Sequence, residues 1–301
     1  MNKRERVMAA INHREVEPVP RGELIIAQEF IDKLCPEPEG DAFSRKKRTL
    51  EILGMDLVTV APGPPPKREL AGGVFLDEFS RKVTWQQGYW VTVEPPLAGL
   101  EQAGLYAFPR VQDYVFDEME RWVQNSDFFV FALLDGIFQG TGSLLDFHRF
   151  LMATVTGEQA LRDLVERYVD FLGLMAEECF RRGAHGLIIG DDMASAQGPL
   201  CSPKALGKIF WPAYRRLLAG LARWQRPVFL HCDGNIKLLL PSIAEVGFAG
   251  IHSLEPAAGM DLRQVKDSYG DRLCLMGNID PALLETGDVE RIRQAVAAAI
   301  R

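Results

Sequence analysis

The sequence predicts an α/β fold, a TIM-type (β/α)8 barrel, on three observations. Short apolar runs alternate with helical stretches along nearly the whole chain, the pattern of parallel strands joined by helical crossovers. Five of the seven runs end in an acid, an amide or a histidine: Asp135, Asp191-Asp192, His231/Asp233, Glu255 and Asn278–Asp280. A barrel assembles its active site from such strand ends. A doubly wound sheet is the alternative, but the first run is not followed by its Gly-x-Gly-x-x-Gly turn.

The bulk numbers agree. The chain has 301 residues, 47% hydrophobic and 25% charged, and a barrel takes ~250, so residues 1–301 read as a single barrel domain. A net charge of −7 without a basic stripe excludes nucleic acid and anionic membrane as expected partners. No apolar run is long enough to span a bilayer, and the N-terminus has no signal-peptide apolar core. Five scattered cysteines suit reduced thiols, hence a cytoplasmic location, better than a disulfide framework.

Taken in order, Asn2 caps a first helix with Val7, Met8, Ala10 and Ile11 on one side. After Pro18-Val-Pro20, the stretch 22–26 reads as the first strand, with Glu23 beside it. A helix over 41–53 stops at Gly54, and 55–60 is the second strand, ended by Pro62-Gly-Pro-Pro-Pro66. Residues 74–93 are β-branched and aromatic around Gln86-Gln-Gly88, which predicts an inserted antiparallel hairpin whose aromatics pack. A charged helix over about 111–125 precedes the strand 128–134. Thr156 and Gln159 form a capping box for a helix whose apolar stripe runs from Leu161 to Cys179, stopped by Gly183. The strand 186–190 runs into Asp191-Asp192. Ser202-Pro203 then opens a helix that Pro212 should kink. The last strands are 228–232, 250–254 and 273–279, with helices capped by Asp261, Asp280 and Asp288.

The stretch Pro227-Val-Phe-Leu-His-Cys-Asp-Gly-Asn235 draws most attention. Side chains alternate along a strand, so His231 and Asp233 should face one way and Cys232 the other. A histidine and a carboxylate together can bind a metal, move a proton or grip a substrate. An Asp-Gly turn closing a core strand is the plainer alternative. Of Asp191 and Asp192, one should face the barrel axis and the other the helix layer; the inward one would handle substrate or a proton. Gln139 and Asn278 are hydrogen-bonding groups for the rim. His13, His148 and His185 read as structural or solvent-facing.

Four stretches carry a resemblance: Asp191–Pro203, His231–Ile236, Gly247–Pro256, and Met260–Gly270 with Met276–Asp280. From about residue 3 onward the chain resembles the uroporphyrinogen decarboxylase superfamily, which includes methylcobamide:coenzyme M methyltransferases. The resemblance implies a barrel with its site at the carboxyl face. Its decarboxylase branch works without a cofactor and grips substrate carboxylates with arginines; here only Arg21 stands in that region, with Glu23 of opposite sign near it. Its methyltransferase branch binds zinc through a His-x-Cys pair, so that a thiol acceptor reacts as thiolate. Here the pair is His231-x-Asp233, and Glu255 ends the next strand. His231, Asp233 and Glu255 are therefore the expected catalytic and metal set, for zinc or another divalent ion.

The implied activity is methyl transfer to or from a small thiol or methylated compound, with a corrinoid protein as docking partner. A cofactor-free decarboxylase of a polycarboxylate and a truncated, non-catalytic paralogue are the alternatives. Eight strands close such a barrel, and seven are counted. An opening beside the first strand is expected, either covered by a second copy in a homodimer or left by truncation of a longer protein.

Overall fold

The structure, a computed structural model, describes residues 1–36, 40–86 and 88–300. Six parallel strands form the central sheet: β1 (Leu57–Val60), β2 (Phe129–Asp135), β3 (Gly186–Gly190), β4 (Val228–Cys232), β5 (Gly250–Ser253) and β6 (Cys274–Met276). They pair in sequence order, each with the next. All six alternate in the same sense. Val58, Val60, Val130, Ala132, Leu187, Ile189, Leu230 and Cys232 face the helices. Leu57, Phe129, Phe131, Ile188 and Phe229 face inward, with Cys274 and Met276 of β6 packed against them. First and last strands thus share one inner cluster, so the sheet is curled into a partial barrel.

Helix α1 (Lys3–Ile11) closes the amino end of that curl. Asn2 caps it in a full capping box, and it lays Val7 and Ile11 on the inner cluster. Arg4 ties it to β2 by donating to Phe128 O at 3.0 Å and Val123 O at 2.9 Å. The carboxyl end stays open, and the chemistry-bearing side chains lie there.

The expected strand at 22–26 is not one. The segment runs beside β1 but touches it through Asp56 N–H donating to Arg21 O at 2.7 Å and Thr59 Oγ donating to Leu24 O. A side-chain hydroxyl takes the place of a ladder amide. Leu24 packs inward while Ile25 is 76% exposed, and the Pro18 and Pro20 lead-in provides no run long enough to build a ladder. The barrel therefore has six strands among the described residues, with β1 and β6 at its edges.

Helices α2 (Gln28–Leu34) and α3 (Ala42–Ile52) precede β1, and Asp41 caps α3. The inserted hairpin is part of a four-stranded antiparallel sheet: Arg68–Glu69, Val74–Leu76, Lys82–Gln86 and Tyr89–Glu94. Gln87 of its expected turn lies outside the described residues. Trp85 and Trp90 meet edge to face at 5.2 Å, yet Trp85 is 56% exposed, so this aromatic face is less packed than the pattern suggested. The charged helix is confined to α4 (Asp117–Asn125), behind a 3-10 turn at Val111–Asp113.

After β2 come α5 (Ile137–Gly142) and α6 (Phe147–Thr156), both missed by periodicity. Thr156 ends α6 instead of capping α7 (Gln159–Arg181), because its hydroxyl donates back to Met152 and Ala153 carbonyls. Helix α8 (Pro203–Leu221), capped by Ser202, continues through Pro212 without a break. Helices α9 (Leu240–Val246), α10 (Leu262–Tyr269), α11 (Pro281–Glu285) and α12 (Val289–Ile300) follow, with Asp261, Asp280 and Asp288 at the expected cap positions. No helix among the described residues is long and apolar enough to cross a membrane.

His185 is structural, as expected: its Nδ1 accepts the Val130 N–H at 2.9 Å. Burial, with Arg4 and Arg226 nearby, pushes its pKa down to about 4. The unfolded chain therefore takes up a proton below about pH 6.5 that the folded chain refuses until about 4. This contribution to stability is present above that window and is lost as pH falls through it. H185N keeps an acceptor at the Nδ1 position but does not titrate. Its thermal midpoint should fall less than that of the wild type between pH 6.5 and 4, read by differential scanning calorimetry.

Candidate active site at the carboxyl end of the barrel

Parallel pairing sets the site. In the β3–β4 register Gly190 lies opposite His231, and in the β4–β5 register His231 lies opposite His252. Gly190 adds no side chain between strands, and a Cβ there would already sit 3.8 Å from His231 Cδ2. Alternation turns Phe229 and His231 inward and leaves Cys232 on the helix side, fully buried. Cys232 Sγ accepts the Met193 N–H at 3.2 Å, and burial pushes its thiol pKa far up. It is a core group and not a ligand.

Two carboxylates meet His231. Its Nε2 lies 3.8 Å from Asp192 Oδ1 and 3.9 Å from Asp233 Oδ2. Donor atoms of Asp192, His231 and Asp233 all fall within 4.8 Å of one another, close enough for one ion to reach all three. Asp192 Oδ1 also accepts the Asp233 N–H at 2.8 Å, and its Oδ2 accepts from Gln139 Nε2 at 3.2 Å. Asp233 Oδ1 accepts from Ser253 Oγ. His231 is largely buried while Asp233 is 54% exposed, so the cluster opens toward solvent on one side.

The second aspartate does different work. Asp191 is fully buried on the helix side, where it accepts N–H groups of Phe138 at 2.8 Å and Gln139 at 2.7 Å, and the Tyr214 hydroxyl. It anchors the start of α5 and so carries Gln139 to the rim. Burial pushes its carboxyl up to about 7, against the lowering effect of those three hydrogen bonds. Its proximity to the cluster is through the backbone; its side chain does not face the axis.

The remaining expected residues separate. Glu255 is drawn off the metal set: its Oε2 accepts the Gly234 N–H at 2.8 Å, pinning the 233–235 loop. Asp192 takes its place in the donor cluster. Asn278 donates to Met260 O at 3.3 Å and bonds no member of the cluster. Arg21 stands at the opposite end of the barrel. Its carbonyl meets Asp56 N at the amino end of β1, its N–H meets Asp56 Oδ2, and its guanidinium packs on Gly54. Glu23 is exposed on the same segment, and none of the cluster's hydrogen bonds or ion pairs among the described residues involves Arg21 or Glu23. Arg21, the arginine of the region where the resemblance looks for a carboxylate grip, thus lies at the amino end of β1, because it precedes a segment that runs alongside β1 from Asp56 toward Thr59.

One group was missed. His252 Nδ1 lies 2.7 Å from His231 Nδ1, with the rings tilted 39°. Burial, the neighbouring His231 and, in the other direction, Asp233 leave its pKa at about 4.

A curled parallel sheet with its polar cluster at the carboxyl end defines a TIM-type enzyme scaffold. The chain belongs to the uroporphyrinogen decarboxylase family: the model for "Uroporphyrinogen decarboxylase (URO-D)" matches residues 76–301. Among solved structures, a methyltransferase from Methanosarcina mazei is similar in fold, with a TM-score of 0.71 and 18% identity. The alignment covers 93% of this chain and 83% of that one. A search of the curated proteins finds no match.

Proposed function

We propose that this chain is a methyltransferase of the uroporphyrinogen decarboxylase family, moving a methyl group between a corrinoid protein and a small thiol at a divalent metal site. The observation that carries the reading is the convergence of His231, Asp192 and Asp233 at the open end of the barrel.

The residues fit a metal. Bonds of about 2.0–2.2 Å in a tetrahedral site put neighbouring donors roughly 3.3–3.6 Å apart, so separations of 3.8 and 3.9 Å need only a small closure. One nitrogen and two carboxylates form a hard donor set, suited to zinc, iron or manganese. His231 would bind through Nε2, and the two carboxylates would offset the charge of the ion. Gln139 and Ser253 hold those carboxylates in place by hydrogen bonds, the kind of support that orients metal ligands. A bound divalent ion supplies Lewis acidity that lets a thiol react as thiolate near neutral pH. In methyl transfer to that thiol, the S–CH3 bond forms as the bond to the donor breaks. The bonding pair stays with the donor, and the thiol proton leaves through the open mouth.

Decarboxylation of a polycarboxylate fits less well. Such a substrate needs guanidinium groups, whereas Arg21 is at the far end and Asp192, Asp233 and Glu255 bring negative charge to the mouth.

The test mixes zinc-loaded protein with methylcobalamin and a panel of small thiols, following the corrinoid spectrum and the methyl thioether. Transfer that disappears in H231A supports the proposal. Absence of transfer from wild type, together with chelator-insensitive carbon dioxide release from a porphyrinogen, would replace it with the decarboxylase reading.

A further inference from the structure

The contact between His231 and His252 does more than fill space. Two imidazole nitrogens at 2.7 Å must share one proton, since two bare lone pairs repel at that distance and two N–H groups cannot fit. The proton is carried either by His231 or by His252. The opposite edge of His231 decides between them. An N–H on Nε2 would face two carboxylates and draw them to hydrogen-bond distance, about 2.7–2.9 Å. They stand off instead, at 3.8 and 3.9 Å. The Nε2 edge is therefore spaced for a cation between it and the carboxylates.

We infer that His252 is a positioning residue whose Nδ1 accepts the Nδ1–H of His231, holding His231 in the tautomer that turns the Nε2 lone pair toward Asp192 and Asp233. A ligating histidine ordinarily gives its second N–H to a carboxylate, a carbonyl or water; here a second imidazole fills that place. The β4–β5 register places the two rings side by side on the inner face, so the acceptor is built into the sheet and not borrowed from a loop. The inference rests on the proposed metal site for its purpose, but the tautomer itself can be read without any metal.

The experiment uses the full chain labelled with nitrogen-15 histidine, as wild type, H252A and H252N. Asparagine is the conservative partner, since its Oδ1 falls near the position of histidine Nδ1 and accepts the same bond. In metal-free protein, the His231 nitrogen shifts should report Nδ1–H in wild type and H252N, and a change toward Nε2–H in H252A. Zinc affinity, measured by competition with a chromogenic chelator, should fall about 10–100-fold in H252A and return to within a few-fold of wild type in H252N. An Nε2–H tautomer in wild type, or a tautomer unchanged in H252A, would overturn the inference. If wild type binds no zinc while the tautomer still depends on His252, the metal proposal fails and the positioning role stands. If zinc binds equally well to wild type and H252A, the positioning role fails and the metal proposal stands.

Discussion

Asp192→Ala should lower the affinity for a divalent ion at least about 100-fold, a greater loss than removal of an outer-shell partner brings, while Glu255→Gln should leave it within a few-fold. The two variants separate the observed arrangement from the one expected from sequence. Asp192 is the hinge of the cluster: one oxygen faces His231 Nε2 at 3.8 Å and accepts the Asp233 N–H, and the other accepts from Gln139. Truncation removes a donor and also frees the backbone that aims Asp233. D192N keeps an oxygen for the Asp233 N–H but drops the charge, so its loss should fall between wild type and D192A. Glu255 is engaged with Gly234 N–H, and glutamine preserves that acceptor. Titration calorimetry with zinc on chelator-stripped protein reads all of these. Equal binding by D192A and wild type, or a large loss in E255Q, would return Glu255 to the ligand set and remove Asp192 from it.

How far the sequence reveals this site depends on whether regular strand geometry continues. Between Val228 and Cys232 it does, and alternation alone places His231 inward and Cys232 in the core. The same rule applied to Gly250-Ile-His-Ser253 puts Ile251 outward and His252 inward beside His231, so this second histidine is legible from alternation too. At Asp191-Asp192 alternation predicts one of each, but the choice needs the register with Ile188 and Ile189. Past the strand end the rule lapses. Leu254 takes a positive φ of 57°, and Glu255 turns to the 234 amide instead of the axis. The strand expected at 22–26 fails for a different reason: the composition suits a strand, but pairing is decided by the neighbour. There a threonine hydroxyl and one amide satisfy the chain without a ladder. Short helices such as α5 carry too few turns to show a period.

Asp191→Ala should destabilise the fold by about 2–4 kcal/mol, the range for stranding buried hydrogen-bond donors. The carboxylate is fully buried and accepts from two backbone amides and the Tyr214 hydroxyl. Alanine leaves all three facing a void. For a chain of this size each kcal/mol shifts the midpoint by about 2 °C or a little more, so a fall of roughly 5–10 °C is expected. The pH dependence is a sharper check than the magnitude. The folded pKa is raised to about 7, above about 3.9 in the unfolded chain. The folded state therefore holds the proton more tightly. This group's contribution is fully present below about pH 4 and is lost as pH rises through about 7. His185 works in the opposite sense, losing its contribution as pH falls from about 6.5 to 4. The two partly cancel in wild type. D191N is neutral throughout and keeps one acceptor oxygen, so its midpoint should rise more steeply from pH 4 to 7 than that of the wild type. The gap between wild type and D191N should accordingly narrow with rising pH. A gap that stays constant across that range would mean Asp191 does not titrate there. The same variants bear on the site, because Asp191 sets the start of α5 and α5 presents Gln139 to Asp192. D191A protein that remains folded at low temperature should bind zinc several-fold more weakly than wild type, although Asp191 itself touches none of the three ligand side chains.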